Sequence, residues 1–128
     1  MSMKAMKTPL KRVRGLGSAN EGTEHFWQQR MTALANIPLT LFFVGSIAAL
    51  HGADYNTVMS YFSSPIVTIL MLLTVLSAVI HMRLGMQIII EDYIHNEGTK
   101  VLALMANTFF AVFVGLACAY ALIKIGVS

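Results

Sequence analysis

Charge is scarce in this chain: only 12% of its 128 residues are Asp, Glu, Lys or Arg, about half the share found in soluble globular domains. Cysteine is scarcer still. Cys118 stands alone, which excludes an internal disulfide and a thiolate metal site. No acid occurs before Glu21, whereas Lys4, Lys7, Lys11, Arg12 and Arg14 all precede it. That basic segment also lacks the uninterrupted apolar core of a signal peptide, so it is expected to stay uncleaved. Lys and Arg are missing from the stretch "HGADYNTVMSYFSS", and no internal repeat is present.

What the chain has in quantity is apolar residues, 56% of the total, gathered in long blocks rather than periodic stripes. Crossing a bilayer core of about 30 Å takes roughly 17–25 mainly apolar residues, and three blocks qualify. The expected spans cover about 28–50, 65–91 and 100–124, and the connections between them are too short to fold alone. The expected fold is an all-α membrane protein with three transmembrane helices. Residues 1–20 are expected to form a basic arm, with Pro9, Gly15 and Gly17 opposing regular structure, and residues 21–128 one membrane domain without a soluble catalytic module. The excess of Lys and Arg at the N-terminus predicts a cytoplasmic N-terminus, an outer first loop, an inner second loop and an outer C-terminus. A net charge of +3 then reflects topology and anionic lipid headgroups, not nucleic acid.

Local signals refine the helix limits. Trp27 suits the interface where the first span starts, and Pro38 predicts a local kink within it. Ser63 or Ser64 before Pro65 predicts a serine-capped second helix with proline in its first turn. Gly98 is expected to separate the second helix from the third.

The chemistry lies in the second span, in "HMRLGMQIIIEDY". An ionisable residue within a span is costly and marks function by default. His81 is sixteen residues after Pro65, roughly 24 Å along a helix axis, and so lies in the membrane interior. Thr74, Ser77, Ala78, Gly85 and Asp92 share its helical face, and nearly all are small. Such a strip is most often an ordinary packing face between membrane helices, with the histidine hydrogen-bonded across it. It is also a shallow trough in which a flat macrocycle such as haem can lie against an axial imidazole. Spacing alone leaves both readings open. His25, His51 and His95 all fall near span ends, so a second axial histidine requires a partner chain. Asp92 and Tyr93 close the helix at the interface, either as a polar pair that can orient a ligand and relay protons or as a solvated acid beside an interfacial tyrosine. Arg83 is turned about 200° from His81, which predicts snorkelling or an ion pair with Glu91 or a neighbouring chain.

Taken together, a His-x-x-x-Gly sequence followed by Asp-Tyr, with the aspartate eleven residues after the histidine, resembles the second membrane helix of the hydrophobic membrane anchors of the succinate dehydrogenase (respiratory complex II) family. The upstream "GSANEGTEHFWQQRMTALANIPL" is similar to that family's approach to its first helix, and the likeness covers roughly residues 15–125. The resemblance implies half of a heterodimeric haem-binding anchor bundle, with His81 as axial ligand to the iron of haem b. The other ligand comes from the companion membrane anchor of the same complex. It further implies Tyr93 hydrogen-bonded to the ubiquinone head group, Asp92 supporting that site, and Arg30 near both the quinone pocket and the haem propionates, with Gly85 and Ser77 making room for the macrocycle. The implied partners are the companion membrane anchor, the iron–sulfur subunit, the flavoprotein subunit and membrane lipid. The implied role is that of a subunit of succinate:ubiquinone oxidoreductase that does not itself bind succinate, in a bacterial inner membrane. Two alternatives stand beside it: the anchor of a quinol:fumarate reductase, and a small structural or transport subunit without haem.

Overall fold

The computed structural model describes residues 21–128, so the basic arm expected over residues 1–20 lies outside the described residues. Four helices follow one another: α1 (Glu21–Ala49), α2 (Tyr55–Phe62), α3 (Pro65–Tyr93) and α4 (Glu97–Gly126). No strand occurs among the described residues. Three of the helices, α1, α3 and α4, are long and apolar enough to cross a membrane. At 29 or 30 residues, each is roughly 44 Å long and exceeds a hydrocarbon core of about 30 Å. Their polar ends therefore reach the headgroup layers.

The short helix α2 departs from the apolar pattern, which marks its residues only as a connection between the first two spans. Asp54 starts it by accepting a hydrogen bond from the Thr57 amide at 3.0 Å, and the Thr57 hydroxyl with that amide holds the Asp54 carboxyl below its ordinary range. Tyr61 ties α2 to the end of α1 through a hydrogen bond with the Ser46 hydroxyl. The chain reaches α2 through a turn in which Gly52 adopts a φ of +76°, a conformation natural to glycine.

Pro65 leads α3 as expected, but serine capping through the side chain does not occur. Ser63 is instead the C-cap of α2, and its hydroxyl turns back to the Met59 carbonyl at 2.7 Å. The Thr68 hydroxyl shares its proton between the carbonyls of Phe62 and Ser64, at 2.9 and 3.1 Å, and so ties the first turn of α3 back to the end of α2. The break between α3 and α4 is also displaced from expectation. Gly98 lies inside α4, and the cap is Asn96, whose side-chain oxygen accepts from the Thr99 amide at 3.0 Å. A side-chain acceptor that satisfies an orphan amide starts a helix more firmly than a glycine stops one. The first helix continues across Pro38 as one element.

The packing order is α1–α3–α4: α3 lies against both of the others, whereas α1 and α4 are not neighbours among the described residues. The buried apolar side chains are few, namely Val67, Met71, Leu84, Ile90 and Ala111, and Ser46 and Ser77 are buried with them. A thin core is what lipid permits, since water does not drive membrane helices together and contacts come from close packing and interhelical hydrogen bonds. Both devices are present. A Cβ at Gly126 would lie 2.9 Å from Thr68 Oγ1, so glycine allows the end of α4 to approach the start of α3. Asn107 of α4 donates to the Arg83 carbonyl at 3.0 Å, and Ser77 of α3 donates to the Thr32 carbonyl at 3.3 Å.

Candidate functional site

His81 faces α1. Its Nδ1 lies 3.2 Å from the hydroxyl of Thr32, and Ser77, one turn earlier on α3, meets the backbone of the same threonine. The strip of small residues is thus used in part for helix contact. Ser77 is buried against α1, and a Cβ at Gly85 would meet Gln29 of α1 at 3.5 Å. Thr74 turns its hydroxyl to the Leu70 carbonyl of its own helix at 2.8 Å. The imidazole itself is only half-buried. Its Nε2 has no hydrogen-bond partner among the described residues, yet the one sealed, unpartnered side-chain polar atom among them is Gln29 Oε1. Nε2 is therefore without a partner among the described residues and not fully sealed.

Toward the end of α3 that carries Asp92, α1 and α3 together line a cleft of about 410 Å³. From α1 come His25, Phe26, Gln29 and Arg30; from α3 come Leu84, Gln87, Ile88 and Glu91. These residues recur every three or four positions because one face of each helix looks into the cleft. Arg30 is exposed, and its guanidinium lies 5.1 Å from the centroid of the Phe26 ring, a cation–π contact that holds it at the rim. Gln87 donates to Glu91 Oε1 at 2.9 Å. The rim thus offers a fixed cation, a carboxylate and amide groups above an apolar floor, suited to a flat polar head group with an apolar tail.

Of the residues singled out from sequence, the structure brings Ser77 and His81 together at Thr32, and sets Gly85 beside Gln29 at the cleft that Arg30 lines. Asp92 and Tyr93 do not line the cleft. Both are exposed at the last turn of α3, with Tyr93 78% accessible. Arg83 does not pair with Glu91. Its Nε donates to Thr108 of α4 at 3.4 Å, since eight residues separate it from Glu91 by about 12 Å along the axis. Sequence reasoning missed Thr32, Gln29 and Gln87. The recurrence of polar residues at 25, 29 and 32 on the first helix was the available signal.

Comparison with known proteins bears on this arrangement. Residues 4–115 match the family model described as succinate dehydrogenase/fumarate reductase transmembrane subunit. The chain is 34% identical over 119 residues to the succinate dehydrogenase hydrophobic membrane anchor subunit of Paracoccus denitrificans, covering 93% of this chain and 92% of that one. It is 30% identical over 101 residues to the protein of the same description from Rickettsia bellii (strain RML369-C), covering 79% and 81%. A succinate dehydrogenase membrane anchor subunit of Reclinomonas americana is 29% identical over 94 residues, covering 71% and 78%.

Proposed function

Because the chain belongs to the family of succinate dehydrogenase/fumarate reductase transmembrane subunits, we propose that it anchors a succinate:ubiquinone oxidoreductase to a bacterial inner membrane and supplies one side of its haem and quinone sites. Carrying the reading is one observation: the imidazole of His81, well inside an apolar span, has one nitrogen engaged by Thr32 and the other unpartnered among the described residues and not fully sealed.

The residues present fit haem b. A neutral imidazole with a free electron pair is an ordinary axial ligand, and His81 stands without companions: no group of three or more His, Cys, Asp or Glu among the described residues is placed to hold a metal ion. His81 would be this chain's one donor to the iron, and a second donor would come from a histidine of the companion membrane anchor. Arg30, one helix over and nearer the α3 terminus, carries the charge to pair with a propionate or a quinone oxygen. When bound, haem supplies a one-electron redox centre within the membrane.

At the exposed end of α3, Tyr93 and Asp92 have side chains free for a partner. The tyrosine hydroxyl donates to a quinone oxygen, and the hydrogen bond strengthens as negative charge develops there on reduction. Asp92 orients the site and accepts protons from the interface. Ubiquinone is the substrate, and this chain touches no succinate. The flavoprotein and iron–sulfur subunits dock on the cytoplasmic side, where the turn 94–96 and the N-terminus lie.

The experiment is isolation of the tagged chain from its native membrane in mild detergent. A flavoprotein, an iron–sulfur protein and a second small anchor should co-purify, with a b-type haem spectrum and succinate:ubiquinone reductase activity. A preparation without haem and without that activity would leave His81 as packing between helices.

A further inference from the structure

We infer that Thr32 is a positioning residue: it fixes His81 as the Nδ1–H tautomer and so holds the electron pair on Nε2, the nitrogen without a partner among the described residues. The inference deepens the haem reading above and rests on it for what Nε2 takes.

The argument starts from proton counting. A threonine hydroxyl carries one proton and two lone pairs. Thr32 Oγ1 lies 2.8 Å from the Gln28 carbonyl and 3.1 Å from the Gln29 carbonyl, and a carbonyl oxygen can only accept. If the proton pointed at His81 instead, Oγ1 would set its lone pairs against two carbonyl oxygens with nothing between them. The proton therefore goes to the helix backbone, and the lone pairs face Nδ1 at 3.2 Å. Nδ1 must be the donor, so in the neutral ring Nε2 is the unprotonated nitrogen.

Two further features hold the hydroxyl in place. Threonine in a helix divides between rotamers because its oxygen can bond the carbonyl three or four residues back, and here that bond is made. The Thr32 carbonyl also accepts from Ser77 at 3.3 Å, so two side chains one turn apart on α3 bracket a single residue of α1. In a membrane interior no water competes for Nδ1–H, and a hydrogen bond at the far nitrogen raises the basicity of an imidazole ligand and fixes its orientation. The device turns a helix contact to ligand chemistry. It explains how the strip around His81 can be a packing face on one edge of the ring and a binding face on the other.

The test uses the isolated complex carrying Thr32→Val, which keeps the branched shape without the hydroxyl, and Thr32→Ser, which keeps the hydroxyl. Thr32→Val should weaken haem retention by about ten- to a hundredfold, the usual scale for loss of such a supporting bond. The haem that remains should show a raised midpoint potential and an altered low-spin resonance spectrum, because the imidazole has lost electron density. Thr32→Ser should restore retention, potential and spectrum. Wild-type values of all three in Thr32→Val would overturn the inference, and so would equal shifts in both variants, which would mark a packing defect. Nitrogen-15 resonance of the histidine-labelled full chain, produced without haem and held in lipid, reads the tautomer with no iron on the ring: protonation at Nδ1 of His81 that is lost in Thr32→Val upholds the inference, and protonation at Nε2 in the wild type, or the same tautomer in both, overturns it. Should His81→Ala leave the haem spectrum intact, the ligand reading fails while the tautomer result still stands.

Discussion

In the proposed function, Tyr93 and His81 would divide the chemistry of one helix by depth. Tyr93 is exposed at the last turn of α3, whereas His81 lies twelve residues earlier, roughly 18 Å along the axis and on a different face. Tyr93→Phe removes one oxygen and keeps the ring, so packing should survive. A hydrogen bond to a quinone oxygen gaining charge is worth about 1.5–3 kcal/mol, so ubiquinone reduction should fall roughly ten- to a hundredfold. Succinate oxidation by an artificial acceptor that draws electrons from the soluble subunits should be unchanged. Full ubiquinone reductase activity in the variant would return Tyr93 to the role of an interfacial anchor. His81, Asp92 and Tyr93 stand out in the sequence as candidates because a charged or polar group in or beside an apolar run is conspicuous, whereas Arg30 enters only through the family resemblance. Thr32 does not stand out in this way, because a hydroxyl residue near the start of a span satisfies its own helix backbone, and the polar recurrence at 25, 29 and 32 marks a face without saying what meets it until α3 is laid against it.

The long helices were legible for the same reason as the histidine: runs of apolar residues of spanning length have few alternative fates. Their ends were less so. Glu21–Ala49 begins seven residues before the expected start because the polar stretch ahead of Phe26 continues the helix where no hydropathy signal remains. Helix α2 escapes a reading of periodicity because eight residues carry too few turns, although Asp54 three residues before Thr57 is a capping pattern. That cap makes α2 sensitive to pH. The Asp54 carboxyl is held below its ordinary 3.8 by the Thr57 hydroxyl and amide, so the folded form binds its proton less readily than the unfolded. The capping contribution is accordingly complete above the ordinary carboxylate range and is lost as pH falls through the lowered value. Protection of the Thr57 amide against hydrogen exchange should decline on acidification in the wild type. In Asp54→Asn, which keeps the acceptor oxygen without the charge, protection should not depend on pH over that range, and an identical acid decline in that variant would refute the capping account.

At the scale of the whole molecule, three helices side by side with so small a buried core read as one half of an assembly. The order α1–α3–α4 leaves α3 central, with His81 in its interior and Asp92 and Tyr93 at its end. For the soluble subunits to reach that end it must face the cytoplasm. With Cys118 replaced by serine, Asn56→Cys should be labelled by an impermeant thiol reagent from outside, and His95→Cys only after the membrane is opened. The reverse pattern would place the quinone site on the wrong side. Neither the helix order nor the contact of His81 with α1 could be read from a single sequence, since both are relations between helices. The central claim is that His81 joins this half to its partner through a shared iron, and His81→Ala tests it most directly. In membranes containing the variant complex at wild-type abundance, the reduced-minus-oxidised b-type haem signal should fall sharply or vanish. An unchanged signal at that abundance would contradict the account.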